Sequence, residues 1–193
     1  MARSSFRSAP ATAHAEDVRE ALARPDFYPE QPVRVDVRET HISWVFLAGD
    51  RAYKLKKPLV LPFLDYGTAA RRREMCREEV RLNRRLADDL YLGVRAVAAT
   101  EDGLELAEEG DPRAVDYVVE MRRYDERSTL AAKLECGGLK RGEIVRLGRA
   151  LARFHARARR VVATGVPALA VERRMTENFH ELLAIVEQRA EVG

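Results

Sequence analysis

The sequence predicts an α+β chain: a five-stranded antiparallel sheet with one helix against it, followed by a second part made of helices. Three observations predict this. Apolar residues recur with period two in several short stretches before Met121, the mark of strands with one buried face. One long stretch between Thr68 and Asp89 instead has helical spacing and a capping residue at its start. After Leu130 the spacing becomes helical and stays so. On this reading residues 1–14 are a disordered tail, 15–121 the sheet-and-helix lobe, 122–127 a connecting hinge and 128–193 helical.

The elements follow in order. Met1 to His14 is rich in Ser, Ala and Arg and has no apolar run, so it is neither a signal peptide nor a core element. Ala15 to Arg24 is a short helix ended by Pro25, and the loop through Pro32 holds three prolines, which block helix and central strand alike. Val33, Val35 and Val37 alternate with charged residues as a half-buried first strand. Ile42, Trp44 and Phe46, then Ala52, Tyr53 and Leu55, flank the turn Ala48-Gly49-Asp50-Arg51 and form a hairpin. The apolar, proline-interrupted stretch Pro58 to Gly67 is expected to pack across the sheet edge. Thr68 caps a helix from Ala69 to about Asp89. Tyr91 to Ala99 is a strand, with Leu104 to Ala107 as a short, frayed returning arm, and Asp116 to Met121 is the fifth strand. Leu130 to Glu135 and Arg141 to Arg160 are helices, the first stopped at Gly137-Gly138. On the second, Ile144, Leu147, Leu151 and Phe154 or His155 share a face. Val161 to Ala170 is a loop, and Glu172 to Glu191 a last amphipathic helix.

Composition narrows the function classes. The chain has 193 residues, 34 basic and 31 acidic, for a net charge of +3. That balance does not argue for nucleic acid, and the arginine clusters at Arg71–Arg73, Arg84–Arg85, Arg122–Arg123 and Arg157–Arg160 are interleaved with acids, as on solvated helix faces. Cys76 and Cys136 stand far apart, have no metal-ligand spacing, and fit reduced thiols of a cytoplasmic protein. No stretch approaches the roughly 20 apolar residues of a membrane span.

The chemistry concentrates in the hairpin. Lys54 and Lys56 lie on one face of its second strand, with Ala52, while Lys57 points the other way. A lysine in an otherwise apolar strand is costly to bury unless it meets an anion. In the following helix Met75, Leu82 and Leu86 make one stripe, and Glu79 falls beside it, about 40° from its centre at about 100° per residue. Glu79 is therefore the expected partner of the strand lysine. Alternation does not choose between Lys54 and Lys56.

The segments ETHISWVFLAGDRAYKLKKP, RLNRRLADDLYLGV, VVEMRRY, LGRALARFHA and MTENFHEL, in this order, resemble the aminoglycoside phosphotransferase-like enzymes. More narrowly, they resemble the bacterial branch in which such a domain is often fused ahead of a P-loop kinase-like domain. The resemblance spans about Ala21 to Leu183, and its first two motifs are the specific ones. It implies a protein-kinase-like small lobe followed by the first helices of an incomplete helical lobe, with ATP and Mg²⁺ as cofactors and an unidentified small-molecule acceptor. Lys54, chosen over Lys56 by the Ala52-Tyr53-Lys54 pattern, would bind the phosphates, and Glu79 would orient it. Thr40, His41 and Ser43 occupy the turn that would cover the phosphates. With no glycine there, they either offer donors or close an ordinary strand connection. Met121 either walls the adenine site or is core, and Arg123 lies in the hinge. His155 on its helix face reads as a packed residue rather than a base.

The resemblance also implies an absence. The acceptor-positioning loop HGD-x-H-x-x-N and the later metal-binding Asp are not in this chain: none of its four histidines is followed by Gly-Asp. No catalytic residue and no Mg²⁺ ligand is therefore assigned. The other reading of the same residues is a non-catalytic module that self-associates through apolar helix faces. The expected result is that the purified 193-residue protein transfers no phosphoryl group from ATP. Transfer to any acceptor that is lost in Lys54→Ala, followed with labelled ATP, would contradict it.

Overall fold

The computed structural model describes residues 11–158 and Thr176, and of residues 11–14 the backbone alone. The structure is mixed α+β and divides into two compact units, Met1–Arg141 and Gly142–Gly193. The first unit opens with α1 (Ala11–Leu22) and a 3₁₀ turn at Pro25–Phe27. There follow β1 (Val35–Glu39), β2 (Ser43–Ala48), β3 (Arg51–Lys56), the short β4 (Val60–Leu61) and β5 (Leu64–Asp65), and α2 (Ala69–Asn83). Strands β6 (Tyr91–Thr100), β7 (Gly103–Glu108) and β8 (Ala114–Arg122) complete the sheet, and α3 (Leu130–Glu135) follows a second 3₁₀ turn. α4 (Arg141–Arg157) starts at the last residue of the first unit and otherwise belongs to the second, with Ile144, Leu147 and Leu151 at helical spacing. No helix among the described residues is long and apolar enough to cross a membrane.

The main sheet is antiparallel, in the order β1-β2-β3-β8-β6-β7. It has six strands, not the five expected. The extra one is β7, the stretch taken for a frayed arm. It pairs with β6 from Gly103 to Glu108, with Leu104 and Leu106 against one core cluster and Ala107 in the other. The β2–β3 turn is the two residues Gly49-Asp50, and Gly49 takes φ +59°, the left-handed conformation a tight hairpin needs and glycine adopts without a Cβ clash.

Several boundaries differ from the sequence reading for identifiable reasons. β1 starts at Val35, which pairs with Ala48 at the end of β2; Val33 has no strand left to pair with and is fully exposed. α1 begins before Ala15. The stretch Pro58 to Gly67 does not pack across the sheet edge: it folds on itself as the β4–β5 hairpin, leaving Val60 and Phe63 exposed. α2 stops at Asn83, where the Arg84 side chain donates to the carbonyls of Tyr91 and Leu92 and ties the helix end to β6. The loop at 161–170, the last helix at 172–191 with His180 and the tail through residue 10 lie outside the described residues.

Both faces of the sheet are covered. On one, Val18 and Leu22 of α1 and the loop residue Tyr28 pack on Trp44, Phe46, Tyr53, Leu55, Val97 and Val118. The Tyr28 hydroxyl donates to the Leu22 carbonyl at 2.6 Å, closing the turn that brings α1 onto the sheet. Each such fully buried side chain contributes about 1.5–3 kcal/mol. On the other face α2 packs Cys76 and Val80 against Ala96, Ala98, Tyr117 and Val119.

The buried stripe of α2 is Arg72, Cys76 and Val80, not the expected Met75, Leu82 and Leu86; Leu82 and Leu86 are exposed. The stripe was misread because one of its members is an arginine. Arg72 is buried, not solvated, because Asp116 of β8 is buried opposite it. Its guanidinium donates from Nε and Nη2 to both Asp116 oxygens at 2.8 Å each, and from Nη1 to the Tyr66 carbonyl at 2.9 Å. Asp116 also accepts the Tyr117 N–H at 2.8 Å. Removing one partner of such a pair strands a buried charge. Arg72→Met is expected to lower unfolding free energy by about 3–5 kcal/mol in urea. Arg113→Ala, which breaks surface pairs with Glu105 and Asp111, should cost about 1 kcal/mol or less. Equal losses in the two variants would contradict this placement of α2's anchor.

Candidate functional site

The β2–β3 hairpin and α2 build the site between them. In β3, period two sends Tyr53 and Leu55 to the α1 face and Ala52, Lys54 and Lys56 to the α2 face. Lys57, just beyond the strand, pairs with Glu39 at 2.5 Å and lies over the Trp44 ring, as its opposite orientation requires. Thr68 caps α2 by accepting the Arg71 N–H, and Glu79 comes two helical turns after the anchored Arg72. That spacing returns Glu79 to the sheet side.

Glu79 meets both lysines of the strand. Its Oε1 accepts from Lys54 Nζ at 2.8 Å and its Oε2 from Lys56 Nζ at 2.5 Å. The pairing expected from the sequence, one lysine to one glutamate, is thus a three-member group. Lys56 is 2% exposed, Glu79 14% and Lys54 27%. Burial alone pushes the Glu79 carboxyl up, but the Lys56 charge, the hydrogen bonds from both lysines and the Lys54 charge outweigh it, and the net direction is down. For Lys56 burial pulls down, the charge and hydrogen bond of Glu79 overcome it, and the net direction is up. Two ammonium groups against one carboxylate leave one net positive charge between the sheet and α2.

A cavity of about 580 Å³ opens beside Lys54. Its apolar wall comes from Val45 and Leu47 of β2, Ala52 of β3, Met121 of β8 and Tyr91 of β6, and its polar groups include Arg38, Thr40, Arg123 and Glu126. Arg38 and Glu126 approach to 3.5 Å, joining the end of β1 to the segment after β8. A larger concavity, about 1170 Å³, is lined by Ala69, Arg73, Arg77, Ala114 and Tyr117 among others. There Arg73 and Arg77 both pair with the one carboxylate of Glu109, and Arg73 lies over the Tyr117 ring.

The remaining sequence candidates divide. Thr40 lines the cavity, but its Oγ1 also accepts the Ser43 N–H and donates to the Ser43 carbonyl, at 3.0 Å each, closing the β1–β2 connection. His41 is exposed and does not line the cavity. Ser43 is fully buried, stands opposite Lys56 in the β2–β3 register, and its Oγ has no hydrogen-bond partner among the described residues. Met121 is both wall and core: it lines the cavity and packs against the α2-side cluster. Arg123 is exposed at the cavity, with its backbone N–H donating to the Asp50 carbonyl at 2.8 Å and its guanidinium 3.5 Å from Asp36. Sequence reasoning missed Arg38, Tyr91 and Glu126, which come from three separate segments and carry no shared spacing. It also missed the joint role of Lys56, for which the shared face with Lys54 was the available signal.

The chain is 41% identical over 150 residues to uncharacterized proteins of Mycobacterium bovis and Mycobacterium tuberculosis. The match covers 77% of this chain, which spans 28% of the length of these curated relatives. No protein-family model matches the chain, and no solved structure matches it.

The directions of the two shifts set a pH test. A carboxylate held below its ordinary value of 4.5 contributes stability that is whole above that value and is lost as pH falls through its folded value. An ammonium held above 10.5 contributes stability that is whole below that value and is lost as pH rises through its folded value. The stability difference between wild type and Glu79→Gln, from urea midpoints, is therefore expected to be constant around neutrality and to narrow at the acid and alkaline ends. A difference that grows on acidification would contradict the pairing.

Proposed function

We propose that this chain is the nucleotide-binding part of an ATP-dependent small-molecule phosphotransferase of kinase-like fold. The observation that carries the reading is the contact between Lys54, on the third strand, and Glu79, on the helix that follows, at the end of an apolar cavity. A lysine on the third strand oriented by a helix glutamate is how kinase-like sites hold nucleotide phosphates. Two further features support it. The wall of Val45, Leu47, Ala52 and Met121 suits a flat heteroaromatic base, which binds through dispersion and desolvation. The net positive charge of the lysine–glutamate group, with Arg38 and Arg123 nearby, suits a polyphosphate.

In this reading Lys54 contacts the phosphates, Glu79 orients Lys54, Met121 walls the base, and Thr40 and Arg123 border the opening. His41, exposed, and Ser43, buried beneath the strand connection, take no direct part. Mg²⁺ would accompany the triphosphate and neutralise its charge. Among the described residues no group of three or more His, Cys, Asp or Glu is placed to hold a metal. The cytoplasm, where ATP is abundant, is the compartment this activity requires.

A second reading has one observation in its favour. Ile144, Leu147 and Leu151 of α4 are each at least 40% exposed, as in a helix that pairs with another copy. Titration of Mg·ATP into the purified chain, read by calorimetry alongside sedimentation, separates the two. The nucleotide reading expects saturable ATP binding by a monomer, weakened roughly tenfold or more in Lys54→Ala. Absence of ATP binding together with a concentration-dependent mass would overturn it in favour of a self-associating module.

A further inference from the structure

We propose that Lys56 is a positioning residue: a second, permanently buried lysine that holds Glu79 from behind, so that the carboxylate stays fixed when Lys54 turns to an incoming anion. The proposal rests on the nucleotide reading for what the anion is, but its structural content stands on the three side chains alone.

The two lysines divide the carboxylate between them, one oxygen each. They do not share the cavity: Lys54 lines it and Lys56 does not. Lys56 is enclosed, at 2% exposure, and its Nζ lies 5.0 Å from the centroid of the buried Tyr66 ring. Across the ladder it faces Ser43, also fully buried. A lysine in such a place costs free energy that a leucine or methionine would not, since its charge leaves water. What the charge supplies is a partner for Glu79 that no ligand can reach.

The consequence follows from what happens when an anion enters. With one lysine, every step of Lys54 toward the ligand would leave the 14%-exposed Glu79 with less of its counter-charge, and a buried carboxylate without a partner is costly. The ligand would then have to offset that loss. With Lys56 in place Glu79 keeps a full charge partner, and Lys54 can bridge carboxylate and anion with its separate N–H donors. α2 is held at this point by Lys56 and two turns earlier by the Arg72–Asp116 fork, so the site is formed before the ligand arrives.

Carboxyl-carbon NMR of Glu79 in the full chain tests this without a nucleotide. The groups that face Glu79 are Lys54 and Lys56 of β3, Cys76 of its own helix and Tyr91 of β6, with Tyr66 beyond Lys56. Burial pushes the Cys76 thiol up to about 12 and the Tyr91 hydroxyl upward, so both are neutral where Glu79 titrates. The expected result is a Glu79 midpoint below 4.5 in wild type and still depressed in Lys54→Met, moved to or above 4.5 in Lys56→Met, and returned downward in Lys56→Arg. Should Lys56→Met fail to fold, Lys56→Gln, which keeps a donor and loses the charge, is expected to give the same upward move. A wild-type midpoint in Lys56→Met or Lys56→Gln, or an upward move in Lys54→Met alone, would overturn the proposal. Mg·ATP titrations on the same proteins keep the two readings apart. Absence of ATP binding by wild type would end the nucleotide reading, and the Glu79 midpoints would still decide the role of Lys56.

Discussion

The docking of α2 on the sheet is the constraint on which the site depends, and buried charge secures it. Apolar contact from this helix is thin: Cys76 and Val80 are its buried apolar residues. The helix is instead fastened by Arg72 on Asp116 and by Glu79 on two lysines, all reaching strands β3 and β8 at the middle of the sheet. Such pairs stabilise little compared with well-packed hydrocarbon, yet breaking one is severe, because the orphaned partner stays buried. They are also directional. A hydrocarbon face tolerates a helix sliding or turning by part of a residue, whereas a bidentate fork and a bridged carboxylate do not. The arrangement fixes the position of Glu79, and through it Lys54, more closely than burial alone would.

The two faces of the sheet are built by different physics. The α1 face is aromatic and aliphatic, with Tyr28, Trp44, Phe46, Tyr53 and Leu55 in one cluster. It buries the large side chains of the hairpin and so supplies the bulk of the hydrophobic stabilisation. The α2 face carries smaller residues, Ala96, Ala98, Ala107 and Val119, and the charged groups. Small side chains let the helix approach closely, and on the same face Ala52 of β3 lines the cavity beside Lys54. The packed aromatic side anchors the strands from which the charged groups of the other side project.

Much of this was legible in the sequence, and the failures share a cause. The hairpin, its turn at Gly49-Asp50 and the Thr68 cap follow from period two, turn chemistry and capping, which are local rules; Glu79 does meet the strand lysine, although the stripe that placed it, Met75, Leu82 and Leu86, is not the buried one. β7 was miscounted because the alternation of Leu104 and Leu106 is short, and only pairing with β6 shows it to be a strand, with Leu104 and Leu106 against one core cluster and Ala107 in the other. Arg72 escaped because an arginine among arginines reads as solvated, and its partner Asp116 lies 44 residues away. The cavity escaped for the same reason. Arg38, Tyr91 and Glu126 are brought together by topology, and no local pattern announces them. Lys56 was visible as a candidate but not as a participant, since sequence offers one glutamate for two lysines and no rule for sharing it.

The central claim is that the cavity beside Lys54 is an anion-and-base site preformed by Glu79. The most direct test is backbone and side-chain NMR shift mapping with a non-hydrolysable ATP analogue. The account predicts that shifts concentrate at Val45, Leu47, Ala52, Met121 and the Lys54 side chain, while the carboxyl signal of Glu79 stays near its ligand-free position. No shifts at these residues, or shifts concentrated along Arg73, Arg77 and Ala114 on the other concavity, would contradict it.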